Sequence, residues 1–553
     1  MAPGDRGGGD MEGDVFADLS RHVDRAFYGH LYKDIVQATL DPVEHWHSHG
    51  WVERRHPNVW FDTGFYLDEY PDIERARIDP LLHYIRHGRA EGRLPRPPRA
   101  TRRAILAAAR PAAARPAGYD APPDAPILDA TELAARLLHA MAPAALAKGG
   151  GRVGLVVAAS HDRYIDITGG IQLVLADEMA ACAAAGTTHL HLAPAVARMH
   201  LADDIEPACL LQATIDGVFQ GLAPADAAVA AIAEVARALP QRPRRFVVHS
   251  PLGHRTATLA ALAAACGPDP VFWLHDHTSL CEGYNLLRND LDACGAPPAE
   301  SMACRICVHG EGRQAHRARL RALFEAVPFH VLAPSRVTLD LWLARADLPF
   351  ASARVEEPAT LAPPAADVRP VPATNPAAPL RTAFLGFPLP NKGWPLFLDL
   401  VTALAFAPPD DHVCALYQFA TEAALQPMDL VATVPVRVGR GARHAAVEAL
   451  ARHDIEAVIL PSPWPETFSF VAHEAVAAGA AVLTIEAAGN IAAMVRRHDA
   501  GRVFETGEAL IEYLLSGRAR DEIRARPRPG PRTMIPGQGS LPLLESLLDA
   551  SRP

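Results

Sequence analysis

Residues 463–475 read Pro463-Trp464-Pro465-Glu466-Thr467-Phe468-Ser469-Phe470-Val471-Ala472-His473-Glu474-Ala475, and they follow a short apolar run, Ala457–Leu460, that is typical of a buried strand. The segment places Glu466 just beyond this strand and Glu474, eight positions later, inside the helix predicted to follow. In an open α/β sheet, ligands bind at the carboxyl ends of strands, where helix N-termini present unpaired N–H groups to anions. Two carboxylates beside such a helix start can accept hydrogen bonds from ligand hydroxyls while the backbone holds a phosphate. The segment therefore predicts a site for a sugar nucleotide.

The chain around this segment alternates apolar runs with helical stretches. Before a proline-rich segment at 357–380, the predicted strands are Val153–Ala158, Phe246–His249, Val271–His275 and Phe329–Ala333; after it they are Thr382–Gly386, His412–Tyr417, Val434–Val438, Ala457–Leu460 and Ala481–Ile485. Such alternation predicts parallel, doubly wound sheets. We therefore expect an α/β protein with two Rossmann-like domains and a ligand site in the cleft between them.

The segment also resembles the Glu–seven residues–Glu motif of retaining glycosyltransferases with the GT-B fold, of the family 4 or group 1 type, in bacterial polysaccharide synthesis. The matching residues are Pro461-Ser462, Pro465-Glu466-Thr467-Phe468, Glu474-Ala475 and Gly479. The resemblance implies a hexosyltransferase-like enzyme (EC 2.4) that moves a sugar from a UDP- or GDP-linked donor to a glycan or lipid-linked acceptor. It implies no catalytic divalent metal, because a lysine and helix N-termini supply the positive potential.

Carried over by position, the resemblance assigns Glu474 to the ribose of the donor and Glu466 to the hydroxyls of the transferred sugar. Lys392 and the amides of Thr467, Phe468 and Ser469 would hold the diphosphate. The departing phosphate would itself take the proton of the acceptor, so the resemblance requires no protein nucleophile.

The loop around Lys392 follows the predicted strand Thr382–Gly386. A lysine at a helix start, with glycine permitting close backbone approach, suits a diphosphate, and Gly386, Asn391 and Gly393 are the further donor-binding candidates in this loop. The upstream Gly-Arg of the family is absent, because Phe387 follows Gly386. Half of the expected positive clamp is therefore missing.

The first predicted domain adds two candidate elements. Gly169 and Gly170 follow the first strand and open a helix, and they resemble the acceptor loop of the family, where the backbone lies close to the donor phosphate. His275 ends a predicted strand, at a position where the family often carries a histidine at the sugar end of the cleft. The catalytic candidates are therefore Glu466, Glu474, Lys392 and His275.

Four of the eight cysteines lie between positions 281 and 307: Cys281, Cys294, Cys304 and Cys307. A Cys-x-x-Cys with two further cysteines, in a chain expected to be cytoplasmic, favours metal binding by thiolates over disulfides. Related glycosyltransferases often carry such an insertion. We predict a structural zinc ion at these four cysteines, with an iron–sulfur cluster and redox-active thiols as the alternatives. The neighbouring Asp290-Leu291-Asp292 is interpreted as incidental.

Residues 27–95 contain a duplication with a fixed offset of 38 residues. Phe27-Tyr28 recurs as Phe65-Tyr66, Asp41-Pro42 as Asp79-Pro80, and His49-Gly50 as His87-Gly88. Asp-Pro opens a helix and His-Gly closes one, so each unit is predicted to be a small helical hairpin. The repeats resemble an accessory module found beside many bacterial polysaccharide glycosyltransferases, and they could dock a partner protein.

These features predict the domain organisation. We expect a disordered N-terminus at 1–26, two helical repeats at 27–95, a Pro/Ala-rich linker and helix at 96–150, a first Rossmann-like (acceptor) domain at 151–350 with a Cys-rich insertion at 276–312, a linker at 351–380, and a second Rossmann-like (donor-binding) domain with a tail at 381–553.

The composition limits the functional class. The chain has 553 residues, enough for two or three domains, and its net charge of −10 argues against a nucleic-acid binder. No apolar run is long enough to span a bilayer, and the first residues lack a secretory signal. We therefore expect a cytoplasmic protein and leave open a peripheral association with the inner membrane.

The sequence as a whole predicts a retaining glycosyltransferase of surface polysaccharide synthesis. Two alternatives stay open. One is a catalytically idle scaffold in a polysaccharide-assembly complex, which the missing arginine favours. The other is an epimerase with two Rossmann-like domains, which would release a sugar without needing an acceptor.

Overall fold

The computed structural model describes residues 9–58, 60–96, 121–122, 124–142, 154–165, 169–196, 198–203, 210–289, 292–305, 307–363, 378–406, 413–437, 442–526 and 531–550. Much of the two predicted linkers, at 97–120 and 364–377, lies outside these ranges, as do Asp290 and Leu291. Within the described ranges, no helix combines the length and the apolar character needed to cross a membrane.

Short helices form the N-terminal module. They are α1 (Gly9–His22), α2 (Arg25–Leu31), α3 (Lys33–Gln37), α4 (Pro42–His45), α5 (Thr63–Glu69), α6 (Pro71–Ala76) and α7 (Pro80–His83), with the π-helical turns Trp46–Gly50 and Tyr84–Gly88 continuing α4 and α7. Residues 1–26 were predicted to be disordered, and this is wrong for α1. Leu19 and Val23 are buried in the module core, so the helix is stabilised by packing that its Gly- and Asp-rich start conceals.

The two repeats make the same internal contacts. The hydroxyl of Tyr28 lies 3.0 Å from His45 Nδ1, and the hydroxyl of Tyr66 lies 2.9 Å from His83 Nδ1. Both tyrosines are fully buried. The repeated histidines therefore have a packing role in each hairpin.

The first α/β domain is built on an eight-stranded sheet. The strands are β1 (Leu155–Ala159), β2 (Thr188–Pro194), β3 (Leu210–Ile215), β4 (Val218–Pro224), β5 (Arg244–Val248), β6 (Val271–Trp273), β9 (His330–Ala333) and β10 (Ser352–Val355), while β7 (Leu287–Arg288) and β8 (Asp292–Ala293) form a separate hairpin. The sheet order is β10-β9-β6-β5-β1-β2-β3-β4, in which β3 runs opposite to the other strands and pairs antiparallel with both β2 and β4. The order of the parallel strands therefore reverses between β1 and β5, which makes the ends of these two strands a topological switch point.

In the described part of residues 124–350, the helices are α8 (Ala130–Met141), α9 (Gly170–Ala184), α10 (Ala225–Ala238), α11 (Thr256–Cys266), α12 (Met302–Arg305), α13 (Gly310–Ala326) and α14 (Arg336–Arg345). Leu133 and Leu137 of α8 are buried in the core of this domain, so this part of the predicted segment 96–150 belongs to the domain.

The second domain has six strands that all run parallel. Its strands β12 (Leu380–Leu385), β13 (Cys414–Ala420), β14 (Val431–Pro435), β15 (Ala457–Ile459), β16 (Ala481–Ile485) and β17 (Gly501–Phe504) are ordered β14-β13-β12-β15-β16-β17. Its helices are α15 (Trp394–Phe406), α16 (Ala445–Arg452), α17 (Phe470–Ala477), α18 (Asn490–His498), α19 (Gly507–Leu515) and α20 (Arg518–Ala525), with 3₁₀ turns at Pro390–Lys392, Glu422–Ala424 and Glu486–Ala488. The switch point lies between β12 and β15. The predicted α/β class with two doubly wound domains is confirmed.

The segment 351–380 was predicted to be a linker, but its first part forms two strands. It begins with β10, an edge strand of the first sheet, and continues with β11 (Ala359–Leu361), which pairs with β18 (Met534–Pro536). Beyond β18, the chain crosses back to the first domain. Helix α21 (Leu541–Ala550) packs there, with Leu541, Leu543 and Leu544 beside Trp273.

Replacing Gly88 by alanine is expected to destabilise the protein by about 1–3 kcal/mol. An added Cβ would lie 2.2 Å from the hydroxyl of Tyr66, which is fully buried and bonded to His83 and therefore cannot swing away. Urea unfolding followed by circular dichroism measures the change. Gly64→Ala in α5 is the control, because its Cβ would meet no atom closer than 3.5 Å. Equal decreases in the free energy of unfolding of Gly88→Ala and Gly64→Ala would contradict this packing.

Candidate functional site

Lys392 and Glu466 form an ion pair at the switch point of the second sheet. β12 leads to the turn that ends at Lys392, and the neighbouring strand β15 leads to the segment that contains Glu466. Lys392 Nζ lies 2.7 Å from Glu466 Oε1, and the hydroxyl of Ser462 donates to the same oxygen at 3.1 Å. Lys392 Nζ also lies 5.1 Å from the ring centroid of Trp464. The structure thus brings these two predicted residues together at the carboxyl edge of the sheet.

Glycines allow the Lys392 loop to lie close to the neighbouring strand exit. Gly393 has a φ of 82°, and a Cβ there would stand 2.5 Å from the carbonyl oxygen of Pro461. Gly386 has a φ of 113°, and its Cβ would lie 3.7 Å from Val471 Cγ1 of α17. Asn391 is partly exposed in the same turn. Of the predicted donor-binding residues of this loop, Gly386 therefore lies beside α17 and Gly393 lies against the chain that follows β15.

The segment between Glu466 and α17 bonds to the first domain. The hydroxyl of Thr467 donates to the carbonyl oxygen of His275 at 2.7 Å, and the Thr467 carbonyl oxygen accepts from the hydroxyl of Thr338 at 3.2 Å. His277 Nε2 lies 2.9 Å from the carbonyl oxygen of Pro465. The ligand segment of one domain is therefore held by three hydrogen bonds from the other.

The start of α17 has the features of an anion site. Ser469, the N-cap, has φ 76° and ψ 90°, a conformation that is strained for a residue with a side chain, and its hydroxyl accepts from the N–H of Ala472 at 3.3 Å. Within the described chain, the N–H groups of Thr467, Phe468 and Ser469 donate to no acceptor. These amides and the helix dipole are therefore available to an anionic ligand.

Glu474 is buried in the second turn of α17, with 4% of its surface exposed. Burial raises the pKa of its carboxyl to about 7, although the nearby charge of Arg443 acts in the opposite direction. No described residue donates a hydrogen bond to this carboxylate. Glu474 is therefore a buried acid that ligand hydroxyls could satisfy.

His275 lies at the end of a buried polar chain. Its ring stacks on Trp273 with the centroids 4.6 Å apart, and its Nε2 lies 3.0 Å from His249 Nδ1. His249 Nε2 lies 3.1 Å from a carboxylate oxygen of Glu178. Burial would raise the pKa of Glu178, but the imidazoles of His249 and His189 hold it well below its usual range. Burial keeps the pKa of His275 well below its ordinary value, so its ring is neutral at pH 7.

The glycine pair of the first domain faces the start of α17. Gly170 opens α9, and a Cβ on it would lie 3.9 Å from Phe470 Cδ2. A Cβ on Gly169 would lie 2.3 Å from Gln172 Oε1, and the amide nitrogen of this glutamine donates to the buried carboxylate of Asp162 at 2.6 Å. The predicted acceptor loop therefore meets the predicted donor segment across the cleft.

The four predicted zinc ligands, Cys281, Cys294, Cys304 and Cys307, line one cavity of about 20 Å³, enough for one water-sized guest. All four are free thiols. The guanidinium of buried Arg313 donates to Cys304 Sγ at 2.7 Å. Nevertheless, no group of three or more His, Cys, Asp or Glu side chains in the described parts of the chain is arranged to hold a metal ion. The cysteines share a cavity without adopting ligand positions.

Sequence reasoning missed two charged residues near the site. Glu178 interrupts the apolar helix α9, and such a charge inside an apolar helix is a signal that could have been used. Arg443 precedes α16 and lies over the ring of Phe470, with Cζ 5.4 Å from the centroid. Its stretch contains several arginines, and nothing in the sequence distinguishes this one.

Comparison with known proteins finds no matching protein-family model and no significant match among curated proteins. Among solved structures, the chain is similar to sucrose-phosphate synthase from Thermosynechococcus elongatus, with 13% identity, a TM-score of 0.41 and coverage of 72% of this chain and 98% of that chain. It is also similar to Anabaena Alr3699/HepE in complex with UDP-glucose (12% identity, TM-score 0.39, coverage 72% and 98%) and to a glycosyltransferase from Rickettsia africae (11%, 0.39, 72% and 97%). These TM-scores lie below 0.5, so the fold rests on the sheet topology alone.

Glu474→Gln is expected to raise the free energy of unfolding at pH 8 by up to about 3 kcal/mol. The folded-state pKa of about 7 exceeds the unfolded value of 4.5, so wild-type stability due to this group falls as the pH rises through that window. Glutamine cannot ionise, and its advantage should therefore disappear below about pH 4.5. Urea unfolding at several pH values measures this, with exposed Glu508→Gln as the control. A pH-independent difference would contradict the burial of a titrating carboxyl.

Proposed function

We propose that the chain is a retaining glycosyltransferase that moves a sugar from a nucleotide-sugar donor to a glycan or lipid-linked acceptor in surface polysaccharide synthesis. The observation that carries this proposal is the contact between Lys392 and Glu466 at a topological switch point, beside three amides at the start of α17 that donate to no acceptor among the described residues. A cation, free N–H groups and two buried carboxylates within one cleft match the anionic and hydroxyl-rich halves of a sugar nucleotide.

Each side chain has a defined role in this proposal. Lys392 and the amides of 467–469 bind the diphosphate and stabilise the negative charge that develops as it leaves. Glu466 accepts hydrogen bonds from hydroxyls of the transferred sugar, and Glu474 accepts those of the ribose. Because the leaving phosphate takes the acceptor proton, the protein contributes positioning and electrostatics, with no nucleophile of its own. The neutral ring of His275 orients the sugar at the other wall of the cleft.

Lys392 is chemically unusual in this chain. It is one of three lysines, with Lys33 and Lys148, among 53 basic residues. An ammonium is a compact point charge, and this one lies against one oxygen of Glu466 and over the ring of Trp464.

Lys392→Gln and Glu474→Gln are each expected to lower kcat/KM for sugar transfer about 100-fold or more, because each removes a group that touches the donor. A thermal-shift screen of UDP-, GDP- and dTDP-sugars first identifies the donor, since a ligand that binds the folded state raises its melting temperature. NMR of the product then reports the anomeric configuration. Glu508→Gln is the matched control and should keep wild-type turnover.

Three outcomes would reject parts of this proposal. Donor binding without transfer or hydrolysis in the wild type would indicate the idle scaffold. Release of an epimerised sugar without an acceptor would indicate the epimerase. Full turnover by both Gln variants would place the active site elsewhere.

A structural zinc ion at the four cysteines stays a prediction. All four line one cavity, and a bound ion would replace the present contact of Arg313 with Cys304. Metal analysis of the purified protein should give about one zinc per chain, and Cys304→Ser should lower both the zinc content and the melting temperature. Cys182→Ser, at a buried cysteine of α9, is the control for zinc content. Metal-free protein with wild-type stability would leave the cysteines as ordinary buried thiols.

A further inference from the structure

Arg443 forms an ion pair across the cleft. It lies in the connection between β14 and α16 of the second domain, and its Nη2 contacts a carboxylate oxygen of Asp177 on α9 of the first domain. Both side chains are largely buried, at 18% and 17% exposure. Because this ion pair is largely buried, water and salt screen the attraction between its two charges only weakly.

The position of this pair relates it to the candidate site. The guanidinium of Arg443 lies over the ring of Phe470, the first residue of α17, and its charge acts on Glu474. Asp177 is seven residues beyond Gly170 on α9, so the two lie on the same helix face. Phe470 is the residue that Gly170 approaches. The pair therefore borders the helix start where the donor phosphates are proposed to bind.

Binding of a diphosphate at the candidate site requires a second cation besides Lys392. Lys392 is already neutralised by Glu466 at 2.7 Å, and exposed Phe387 stands where the sequence lacks the arginine of the clamp. A nucleoside diphosphate brings two or more negative charges to this place. Without a further cation, those charges would meet two buried carboxylates and only helix amides in return.

Asp177 holds Arg443 in a costly arrangement. Burial raises the pKa of Asp177 to about 6, even though Arg443 lies against it. Arg443 is its sole hydrogen-bond donor among the described residues. A phosphate group offers an arginine two acceptor oxygens in a planar, bidentate geometry and carries more charge than one carboxylate.

We propose that Arg443 is a donor-binding residue that contacts the diphosphate of the nucleotide sugar, and that Asp177 is its resting partner when no donor is bound. This inference rests on the proposed function. It supplies from the β14–α16 connection the positive charge that the loop after β12 lacks. Binding exchanges the contact of Arg443 with Asp177 for one with phosphate, and no covalent bond changes.

Calorimetry with UDP, GDP and the free nucleosides uridine and guanosine tests this proposal. Arg443→Gln should weaken binding of the preferred nucleoside diphosphate about tenfold or more and leave binding of the matching nucleoside unchanged. Arg443→Lys keeps the charge without the planar guanidinium, and its affinity for the nucleoside diphosphate should lie between those of the wild type and Arg443→Gln. Asp177→Asn removes the competing carboxylate and should tighten diphosphate binding. Arg452→Gln, exposed at the end of α16, is the control and should match the wild type.

The outcomes separate the two proposals. Wild-type protein that binds neither UDP nor GDP, and that none of the screened UDP-, GDP- and dTDP-sugars stabilises, would overturn the proposed function and this inference together. Wild-type binding that Arg443→Gln leaves intact, or weakens equally for nucleoside and nucleoside diphosphate, would overturn the inference alone. Weaker binding by Asp177→Asn would remove Asp177 as a competitor. Unchanged melting temperatures of the variants ensure that a loss is not due to unfolding.

Discussion

The ion pair of Lys392 with Glu466 constrains the whole candidate site, because it fixes how the two strands at the switch point end. The 2.7 Å contact is possible only because Gly393 adopts a positive φ against the Pro461 carbonyl and because Ser462 supplies a second donor to the carboxylate. A buried glutamate without these partners would be costly. With them, the loop after β12 and the segment before α17 are held together at the carboxyl edge of the sheet.

The two domains meet through polar contacts and the side chains of the site itself. Thr467 bonds to the backbone of His275, His277 bonds to the backbone of Pro465, and Arg443 pairs with Asp177. The first two contacts join the predicted ligand segment 465–467 to the first domain, and the third joins the connection before α16 to α9. Ligand binding and domain arrangement are therefore coupled physically, since any movement of one domain must break hydrogen bonds that position the residues of the other.

The sequence was sufficient where local chemistry decides the structure. Apolar runs located β12 and β15, and the pattern after β15 identified Glu466 and Glu474, both of which are buried in the cleft region. It failed at β2, which is buried on both faces and carries His189 and His191 on one of them and Leu190 and Leu192 on the other. These rings are accommodated by distant partners such as Glu178 and Ser160, which no local pattern reveals.

The dependence on distant contacts also explains why the sequence analysis missed β10 and Arg443. Edge strand β10 is short and only partly buried, so it lacks the composition of a core strand. Arg443 acquires its significance from Asp177, which is 266 positions away in the chain. Its role depends on tertiary contact, whereas that of Lys392 could be inferred from the glycine and helix signal beside it. Contacts between distant segments are what the sequence alone does not specify.

The return of the chain after β18 has a consequence for biosynthesis. Ser540 donates its N–H to the buried carboxylate of Glu178 at 2.7 Å, and the leucines of α21 cover apolar side chains of the first sheet. During translation, β10, the last strand of the first sheet, is completed 186 positions before α21 begins. Until α21 has been made, the first domain has an uncovered apolar face, and Glu178 has its partners His249 and His189 but lacks the N–H of Ser540. Nascent chains of this protein are therefore expected to depend on chaperones at this stage.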